Sequence, residues 1–416
     1  MNFDEKYREA SELLGDGAVT ELKRLHSLFD ARTYEWAATT WDPDSGAFYA
    51  TRTARETEGY HPNIESTYQA MKLVALKGMA ERYGGSFAKA LPAEMGRKMI
   101  AFIKDKQAPD GYFYLPWWGR DVMPSRIGRD LAWAQEMLRA YGECPVYPFA
   151  TEQIAAGKKE NIPEYFSSAK ALRAYLESLD LNANSYVHGQ QIASQTPIAV
   201  AAGLGEVVYD FLCEHQRPDN GLWEEGVTVN AISGLLKIGT AYNCLRRPIP
   251  NFKRTLESAI TYAVSDDNHR AATAPYNAVN GIGRVIDNLK YVDEHEQRRA
   301  AIAEIRTHAT KIIAATARRV ATFKREDGGF SYFTDRSAPR TEGCPVAPGI
   351  LESDMNGTLL SLNSDTGLYE IFGISPIPVW GHSDLLRFIE CLESVGPVVK
   401  KYPRPSDEVM KIYTAP

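Results

Sequence analysis

Apolar residues recur at three-to-four spacing through most of the chain, and polar turns separate these stretches. Met99 and Ile103 share one face of the first such stretch, and Val208 and Phe211 share one face of another. This spacing predicts amphipathic α-helices. Alternation with a period of two residues never persists, so the pattern predicts almost no β-strand.

One short phrase closes four of these stretches. It reads KQAPDGYFY at 106–114 and HQRPDNGLWEE at 215–225, with looser copies REDGGFSY at 325–332 and WDPDSGAFY at 41–49. Pro109 or Pro218 ends the preceding helix in the two closest copies, and Asp-Gly or Asn-Gly lets the chain reverse through a positive φ angle. The aromatic residue after the glycine can then pack back on the helices. The phrase therefore predicts a helix–helix turn closed by an aromatic side chain.

The spacing of the phrase predicts a repeated architecture. Gly111 and Gly221 lie 110 residues apart, and Gly221 and Gly329 lie 108 apart, which is twice a helical hairpin of roughly 55 residues. Alternate hairpins therefore carry the phrase. The predicted inner helices are 63–83, 124–141, 188–201, 228–244, 275–291 and 354–372, and the predicted outer helices are 93–107, 166–179, 203–216, 251–265, 297–323 and 382–395.

Small residues recur in three inner helices, in VNAISG (229–234), VNGIGR (279–284) and MNGTLL (355–360). They suit helices that crowd around a narrow axis. The prediction is an all-α (α/α)6 toroid of six helical hairpins, with an inner and an outer ring, forming a single domain over 1–416. A helical segment at 4–31 precedes the hairpins, and 397–416 is a surface tail.

Composition narrows the ligand class. The 416 residues are 44% hydrophobic and 24% charged, with a formal net charge of −6. Without a basic cluster, nucleic acid and anionic membranes are disfavoured as partners, and a small or neutral ligand is favoured. The N-terminus lacks an apolar leader and no run reaches membrane-spanning length, so we expect a cytoplasmic protein. Five scattered cysteines without CxxC spacing argue against disulfides and structural zinc, and no cofactor or metal is expected.

The turn phrase resembles the glycine and aromatic turns of terpene cyclases and protein prenyltransferases. The alternating inner and outer helices are similar to the (α/α)6 toroids of glycoside hydrolases and polysaccharide lyases. The DxDD motif of class II terpene cyclases is absent, and Asp266-Asp267 makes a poor DDxxD motif. A glycan ligand is therefore favoured over a terpenoid.

The predicted site lies at one mouth of the ring, where the N-terminal ends of the inner helices meet. Two insertions, 143–165 and 333–353, interrupt the pattern, and the first is expected to roof this mouth. Aromatic faces there can stack on sugar rings while polar side chains bind hydroxyl groups, although Asn and Asp at helix starts are also favoured as caps. The substrate-binding candidates are His61, Asn63, Gln69, Trp117, Trp118, Asp121, Arg126, Arg129, Asp130, Gln190, Glu224, Asn230, Asn277, Asn280 and Asn356.

The leading prediction is a glycoside hydrolase. Hydrolysis uses two carboxyl groups across the scissile bond, and Glu65 can face Glu352 or Asp354 because the first and sixth inner helices are neighbours in a closed ring. A lyase that acts on a uronate by β-elimination is the alternative, with Tyr186 or His188 as the base.

The lyase would use Arg129 and Asn230 to bind the carboxylate of the uronate. A sugar epimerase with His61 and His188 as its two bases, a terpene-cyclase-like enzyme and a non-catalytic binding toroid also remain open.

Overall fold

The computed structural model describes residues 3–158, 162–267, 270–292 and 295–404, and most of its regular structure is α-helical. The all-α prediction is confirmed. The helices are α1 (Phe3–Leu14), α2 (Asp16–His26), α3 (Ala31–Ala38), α4 (Arg52–Glu56), α5 (Ile64–Leu76), α6 (Phe87–Ala90), α7 (Ala93–Asp105), α8 (Pro124–Tyr141), α9 (Ala150–Ala155), α10 (Ala169–Glu177), α11 (Ser185–Ala201), α12 (Gly205–Glu214), α13 (Val229–Leu245), α14 (Phe252–Ala263), α15 (Thr273–Asn288), α16 (His295–Thr307), α17 (Ala309–Ala321), α18 (Met355–Phe372) and α19 (His382–Ser394).

Three predicted helical segments are divided in the structure. The predicted inner helix 63–83 ends at Leu76, and a separate 3-10 turn follows at Glu81–Tyr83. The N-terminal segment 4–31 breaks at Gly15, whose φ is 86°, into α1 and α2. The predicted outer helix 297–323 breaks at His308 into α16 and α17.

Two small antiparallel hairpins interrupt the helices. The first pairs β1 (Trp41–Asp42) with β2 (Ala47–Phe48), and the second pairs β3 (Arg340–Thr341) with β4 (Cys344–Pro345). Strands of two residues are too short to give a period-two pattern in sequence. The second hairpin is important below because it reaches the candidate site.

Six helices, which we call the cavity helices, pack in a continuous series of contacts. Helix α5 contacts α8, α8 contacts α11, α11 contacts α13, α13 contacts α15, α15 contacts α18, and α18 contacts α5. Other helices pack outside this series: α7 on α8, α12 on α11 and α13, α14 on α13 and α15, and α17 on α15 and α18. The first and last cavity helices are therefore neighbours, as the site prediction requires.

Neighbouring cavity helices approach closely where one of them carries glycine. A Cβ atom at Gly234 would lie 2.1 Å from Ser185 Oγ, and one at Gly367 would lie 2.8 Å from Val279 Cγ1. Because real Cβ atoms essentially never come so close, a larger residue would push α13 from α11, or α18 from α15.

The repeated phrase forms a tight reversal. Gly111 and Gly221 have positive φ angles of 83° and 69°, and Trp223 is buried with its Nε1 donating to the carbonyl of Leu212 at 2.7 Å. The copy at 41–49 is the β1–β2 hairpin rather than a direct helix–helix turn. The phrase is thus scaffold in these copies, whereas the copy at 325–332 ends at Tyr332, which lines the cavity described below.

The C-terminal tail prediction covers 397–416, of which 405–416 lie outside the described residues. The described part pairs with the loop after α4, where Glu58 N donates to the Tyr402 carbonyl at 2.9 Å. The Lys400 ammonium donates to the carbonyls of Thr57 and Tyr60 at 2.9 and 3.0 Å. This segment therefore lies as a strap against residues 54–60.

A buried ionic cluster joins the N-terminal helices to α5 and α18. Asp365 is fully buried and accepts hydrogen bonds from the Lys77 ammonium, from His26 Nε2 at 3.0 Å and from the Tyr369 hydroxyl at 2.9 Å. Burial by itself would raise the pKa of Asp365, but Lys77 and His26 hold it well below its usual range. We call these residues the Asp365 cluster.

Candidate functional site

One cavity of about 560 Å³ opens among the six cavity helices, each of which contributes side chains to its wall. Its remaining wall comes from residues around the β3–β4 hairpin. The residues that line the cavity are Tyr68, Gln69, Lys72, Gly128, Arg129, Ala132, Trp133, Tyr186, Gln190, Ala193, Ser194, Pro197, Leu236, Lys237, Thr240, Thr273, Tyr276, Asn277, Arg284, Tyr332, Phe333, Arg340, Thr341, Glu342, Asn356, Leu359, Leu360 and Asn363.

Six of the predicted site residues are among them. Gln69, Arg129, Tyr186, Gln190, Asn277 and Asn356 all line the cavity. They come from α5, α8, α11, α15 and α18, and each lies within the first two turns of its helix. The expectation that residues near helix N-termini share one site therefore holds for this group.

Glu65 lies directly behind the cavity wall in a dense ionic cluster. Arg126 Nη1 donates to its Oε2 at 2.5 Å, and Arg129 Nη2 donates to its Oε1 at 2.8 Å. Arg126 also forms a bidentate pair with Asp130, with N–O distances of 3.0 and 2.6 Å. Burial would raise the pKa of Glu65, but Arg129 and Arg126 lower it below its usual value. Glu65 is thus ionised at neutral pH.

Glu342 is the second carboxylate bound to Arg129, and it is not among the predicted site residues. Its side chain accepts from Arg129 Nη1 and from Ser125 Oγ, the latter at 2.5 Å. The two charged or polar donors lower the pKa of Glu342 below its usual value, against the opposing effect of burial. Arg129 therefore bridges two ionised carboxylates, Glu65 and Glu342.

The β3–β4 turn places Glu342 beside Arg129 at a conformational cost. Glu342 and Gly343 connect the strands with φ angles of 46° and 78°. Two positive φ angles are typical of a type I′ hairpin turn, which favours Asn-Gly or Gly-Gly. A glutamate in the left-handed region is disfavoured by about 1–2 kcal/mol. Backbone strain of this kind is concentrated at functional sites.

Aromatic faces and amide groups form much of the remaining wall. Trp133 lies with its ring centroid 4.7 Å from the Arg129 guanidinium carbon. Tyr186 and Tyr332 interact through their hydroxyl groups, and burial raises the pKa of both phenols. Asn277 Nδ2 donates to Ser233 Oγ at 2.7 Å, which orients the amide. Flat faces beside fixed hydrogen-bonding groups are suited to a polar ring-shaped ligand.

Positive charge dominates the wall. Among the described residues that line the cavity, five are cationic (Lys72, Arg129, Lys237, Arg284 and Arg340) and one is a carboxylate, Glu342. Glu65 adds a second negative charge behind the wall. The cavity is therefore electrostatically suited to an anionic ligand, although the whole chain is acidic.

Three predicted site residues act as helix caps. Asn63 accepts from Ser66 N at 2.8 Å at the start of α5, and Asp354 accepts from Gly357 N at 2.7 Å at the start of α18. Asp354 also accepts from the backbone N–H groups of Tyr332 and Ala338 at 2.6 and 3.1 Å. Glu224 accepts from both the N–H and the hydroxyl of Ser185 at 2.9 Å, at the start of α11.

Glu65 and Asp354 do border a common space, but it is small. A void of only about 10 Å³ lies between them, and it is also bordered by Gln69 and Asn356. That volume is about the minimum for one water molecule. The pair predicted to flank a glycosidic bond thus does not face the large cavity.

Glu352 lies apart from the large cavity, next to α4. Thr53 N donates to its Oε2 at 3.2 Å, and burial raises its pKa to about 7. His188 in α11 has a buried Nδ1 without a hydrogen-bond partner among the described residues, and it is not part of the cavity lining.

Six further predicted binding residues also lie outside the lining. His61 stacks on Trp117 with ring centroids 4.6 Å apart, and Trp118 Nε1 donates to the Pro345 carbonyl at 3.3 Å. Asn280 Nδ2 donates to the Tyr276 carbonyl at 2.9 Å, and the carbonyl of Asn230 accepts from Ser185 Oγ at 3.3 Å. Asp121 is exposed in the loop before α8.

The roof of the cavity comes from a different insertion than predicted. Residues of 333–353 contribute Phe333, Arg340, Thr341 and Glu342, whereas no residue of the described part of 143–165 is in the lining. The first insertion instead packs near the turn at Asp110, where Gln153 Nε2 donates to the Pro109 carbonyl at 3.0 Å.

Lys237 and Arg284 are the clearest residues that sequence reasoning missed. Both interrupt apolar stretches, LLKIG in α13 and GIGRVI in α15. A charged side chain within an apolar stretch of a packed helix must meet a counter-ion or a water-filled space. That signal was available without any structure.

Two negative observations complete the description of the site and chain. Within the described ranges, no group of three or more His, Cys, Asp or Glu side chains is arranged to hold a metal ion. No helix in the described part of the chain has both the length and the apolar character needed to cross a membrane.

Comparison with known proteins adds little. No protein-family model matches the chain, and no curated protein matches it. A solved crystal structure of a protein from Actinoplanes is similar, with 15% sequence identity, a TM-score of 0.40, and coverage of 85% of this chain and 99% of that one. A likeness at that TM-score carries no argument about this chain.

Proposed function

We propose that the protein is a carbohydrate-active enzyme that cleaves oligosaccharides containing a uronate, and that it does so in the large cavity. The single observation that carries this proposal is the cavity wall, which combines aromatic faces and amides with five cations and one carboxylate. Aromatic faces and amides suit a sugar ring and its hydroxyl groups. The excess of cations suits the carboxylate of a uronate.

We also propose that the cavity helices are the inner ring of an (α/α)6 toroid. The support is the series of contacts that runs from α5 through α8, α11, α13 and α15 to α18 and back to α5. In this proposal α7, α12, α14 and α17 belong to the outer ring, because they pack on consecutive cavity helices.

β-Elimination is the reaction that fits the charges best. Arg129 and Arg340 would neutralise the uronate carboxylate, which makes the proton on C5 more acidic. Tyr186, as tyrosinate, would take that proton while the electrons form a C4–C5 double bond and the C4–O4 bond breaks. The phenol would then return the proton to the departing oxygen.

The charge of Arg129 favours the tyrosinate form of Tyr186. Burial raises the pKa of Tyr186, and Arg129 opposes that rise. Activity should therefore increase with pH through the neutral and alkaline range. An Arg129→Met variant should lose activity and need a still higher pH for what remains.

Hydrolysis is the second candidate, and the observation that favours it is the bridging of Glu65 and Glu342 by Arg129. Two carboxylates on one side of the cavity provide a nucleophile or base. However, hydrolysis also needs a protonated acid, and the pKa values of both carboxyl groups are lowered. The acid would have to be another group, such as Tyr186.

One assay separates these reactions. The protein is incubated with uronate-containing and with neutral oligosaccharides, and both new reducing ends and ultraviolet absorbance of an unsaturated uronate are followed. Reducing ends with absorbance, only from uronate substrates, are expected. Reducing ends without absorbance would support hydrolysis, and no new reducing end from any uronate substrate would contradict the proposed function.

Two variants serve as controls for this assay. Tyr186→Phe removes only the hydroxyl that transfers the proton, so it should abolish turnover. Asn230→Ala changes a predicted binding residue that lies outside the lining, so turnover should persist. Equal activity of Tyr186→Phe and the wild type would refute the assigned role of Tyr186.

A further inference from the structure

Lys237 and Arg284 form a pair of cations on adjacent helices, α13 and α15, and both line the cavity. The two helices are close at this point, since a Cβ atom at Gly239 would lie 2.8 Å from Arg284 Cβ. Glycine at 239 therefore leaves the space in which the Arg284 side chain runs towards the cavity.

Neither cation forms an ion pair with any described residue. Two of the other lining cations contrast with this: Lys72 pairs with Glu136 at 3.2 Å, and Arg129 pairs with Glu65 and Glu342. Arg340 donates to the carbonyl of Gly343 at 2.8 Å. Lys237 instead lies with its ammonium 5.6 Å from the ring centroid of Tyr186. Arg284 retains a buried Nε without a hydrogen-bond partner in the described structure.

Glu370 in α18 is an opposite charge that acts on Arg284, but the two form no ion pair in the described part of the chain. Burial, together with the charges of Arg129 and Arg284, lowers the pKa of Lys237 to about 8, against the opposing effect of Glu342 and Glu65. Buried charges in folded proteins are ordinarily paired. An unpaired ammonium and an unsatisfied guanidinium nitrogen in one cavity point to a missing counter-ion.

We propose that Lys237 and Arg284 form a second anion-binding subsite, which takes a carboxylate, sulfate or phosphate group of the ligand. Arg129, whose charge also acts on Lys237, and Arg340 serve the uronate carboxylate in the proposed function. On that proposed function, the substrate therefore carries two negative groups, one at each subsite. The anion-binding property itself does not depend on any turnover.

Direct binding of small anions tests the subsite. Inorganic sulfate, inorganic phosphate and glucuronate are titrated separately into the wild-type protein by calorimetry, at concentrations far below those at which sulfate stabilises proteins in general. Saturable binding of at least one of these anions is expected, and the tightest one identifies the group that the subsite prefers.

Variants then assign the binding to this pair. Lys237→Met and Arg284→Met should each weaken binding about tenfold or more, because each removes a charge-assisted hydrogen-bond donor. Lys237→Arg keeps the charge and should retain most of the affinity. Lys72→Met is the matched control, since Lys72 lines the same cavity but already has Glu136 as its partner. Affinity in that variant should be close to wild type.

The outcomes distinguish this subsite from the proposed enzyme activity. Anion binding that is lost in the Lys237 and Arg284 variants but retained in Lys72→Met supports the subsite, whether or not any oligosaccharide is cleaved. No saturable binding of the three anions, or equal affinity in wild type and both variants, would overturn it. Thermal unfolding in anion-free buffer checks the fold of each variant, and Lys237→Met should be at least as stable as wild type there because it removes an uncompensated charge.

Discussion

Replacement of Asp365 by asparagine tests how the chain holds its N-terminal helices against α5 and α18. The substitution keeps the size of the side chain but removes the charge that Lys77 and His26 share. Lys77 is fully buried, and its other close neighbours are the ring faces of Phe29 and Tyr369, both at 5.5 Å. The ammonium would therefore remain buried without an anion.

The expected cost follows from the burial of both partners. Breaking a buried ion pair by removal of one partner costs about 3–5 kcal/mol. That is a large share of the roughly 5–15 kcal/mol by which folded proteins are stable. Lys77→Met together with Asp365→Asn should cost less than the sum of the two single changes, because neither charge is then left unpaired.

Equilibrium urea unfolding followed by circular dichroism measures these differences. Arg254→Met is the control, since Arg254 pairs with Glu257 at 2.6 Å on the exposed surface and should contribute at most about 1 kcal/mol. An Asp365→Asn protein within about 1 kcal/mol of wild type would refute the reasoning. A double variant no more stable than the additive expectation would refute the coupling.

Lowering the pH should remove the stabilisation that the Asp365 carboxylate provides. Because the folded pKa of Asp365 is lower than the unfolded value, this carboxylate stabilises the protein above the unfolded pKa of about 3.9, and the contribution is lost as pH falls below it. Asp365→Asn should therefore differ less from wild type in acid than at neutral pH.

Three further predictions concern packing, the hairpin turn and pH. Gly234→Ala should destabilise the protein by about 1–3 kcal/mol, because the new Cβ atom would clash with Ser185. Gly281→Ala should not, because the nearest atom to its new Cβ would be 3.6 Å away. Equal urea midpoints for the two variants would contradict this. Glu342→Gly should relieve a left-handed backbone strain of about 1–2 kcal/mol. Because the Glu342 charge raises the pKa of Tyr186, it should also shift the pH profile of oligosaccharide cleavage to lower pH; a lower urea midpoint or an unshifted profile would contradict this. The folded pKa of Glu352 is raised to about 7, so the contribution of Glu352 to the free energy of unfolding falls as pH rises from about 4 to 7. Glu352→Gln should therefore be more stable than wild type at pH 8, by up to about 3 kcal/mol. A less stable variant in urea unfolding at pH 8 would contradict this.

The helices were predictable because their signal is local. Apolar residues at three-to-four spacing identify α8, α13 and α18 nearly to the residue. The breaks at Gly15 and His308 were missed because apolar periodicity continues across both of them. The hairpins were missed because two-residue strands leave no pattern.

The site was only partly predictable, because the same residue types serve as caps and as ligands. Asn63 and Asp354 lie at helix starts, and both side chains accept hydrogen bonds from backbone N–H groups. Glu65 lies next to the cavity, as predicted, but its hydrogen bonds to Arg126 and Arg129 keep it ionised. The spacing of residues in the sequence does not predict these contacts. Glu342 depends on a tertiary contact between a hairpin tip and α8.

The Asp365 cluster also constrains the order in which the chain can be completed during synthesis. Lys77 and Asp365 are 288 residues apart, and His26 and Asp365 are 339 apart. While the ribosome is still making the residues between them, α2 and α5 have left the exit tunnel with cationic or polar groups that have no anion to meet. Helix α18 brings that anion together with the last wall of the cavity. A nascent chain that stops before residue 365 therefore lacks both the Asp365 carboxylate and part of the cavity wall. Proteases should degrade such a truncated product as an incompletely folded protein.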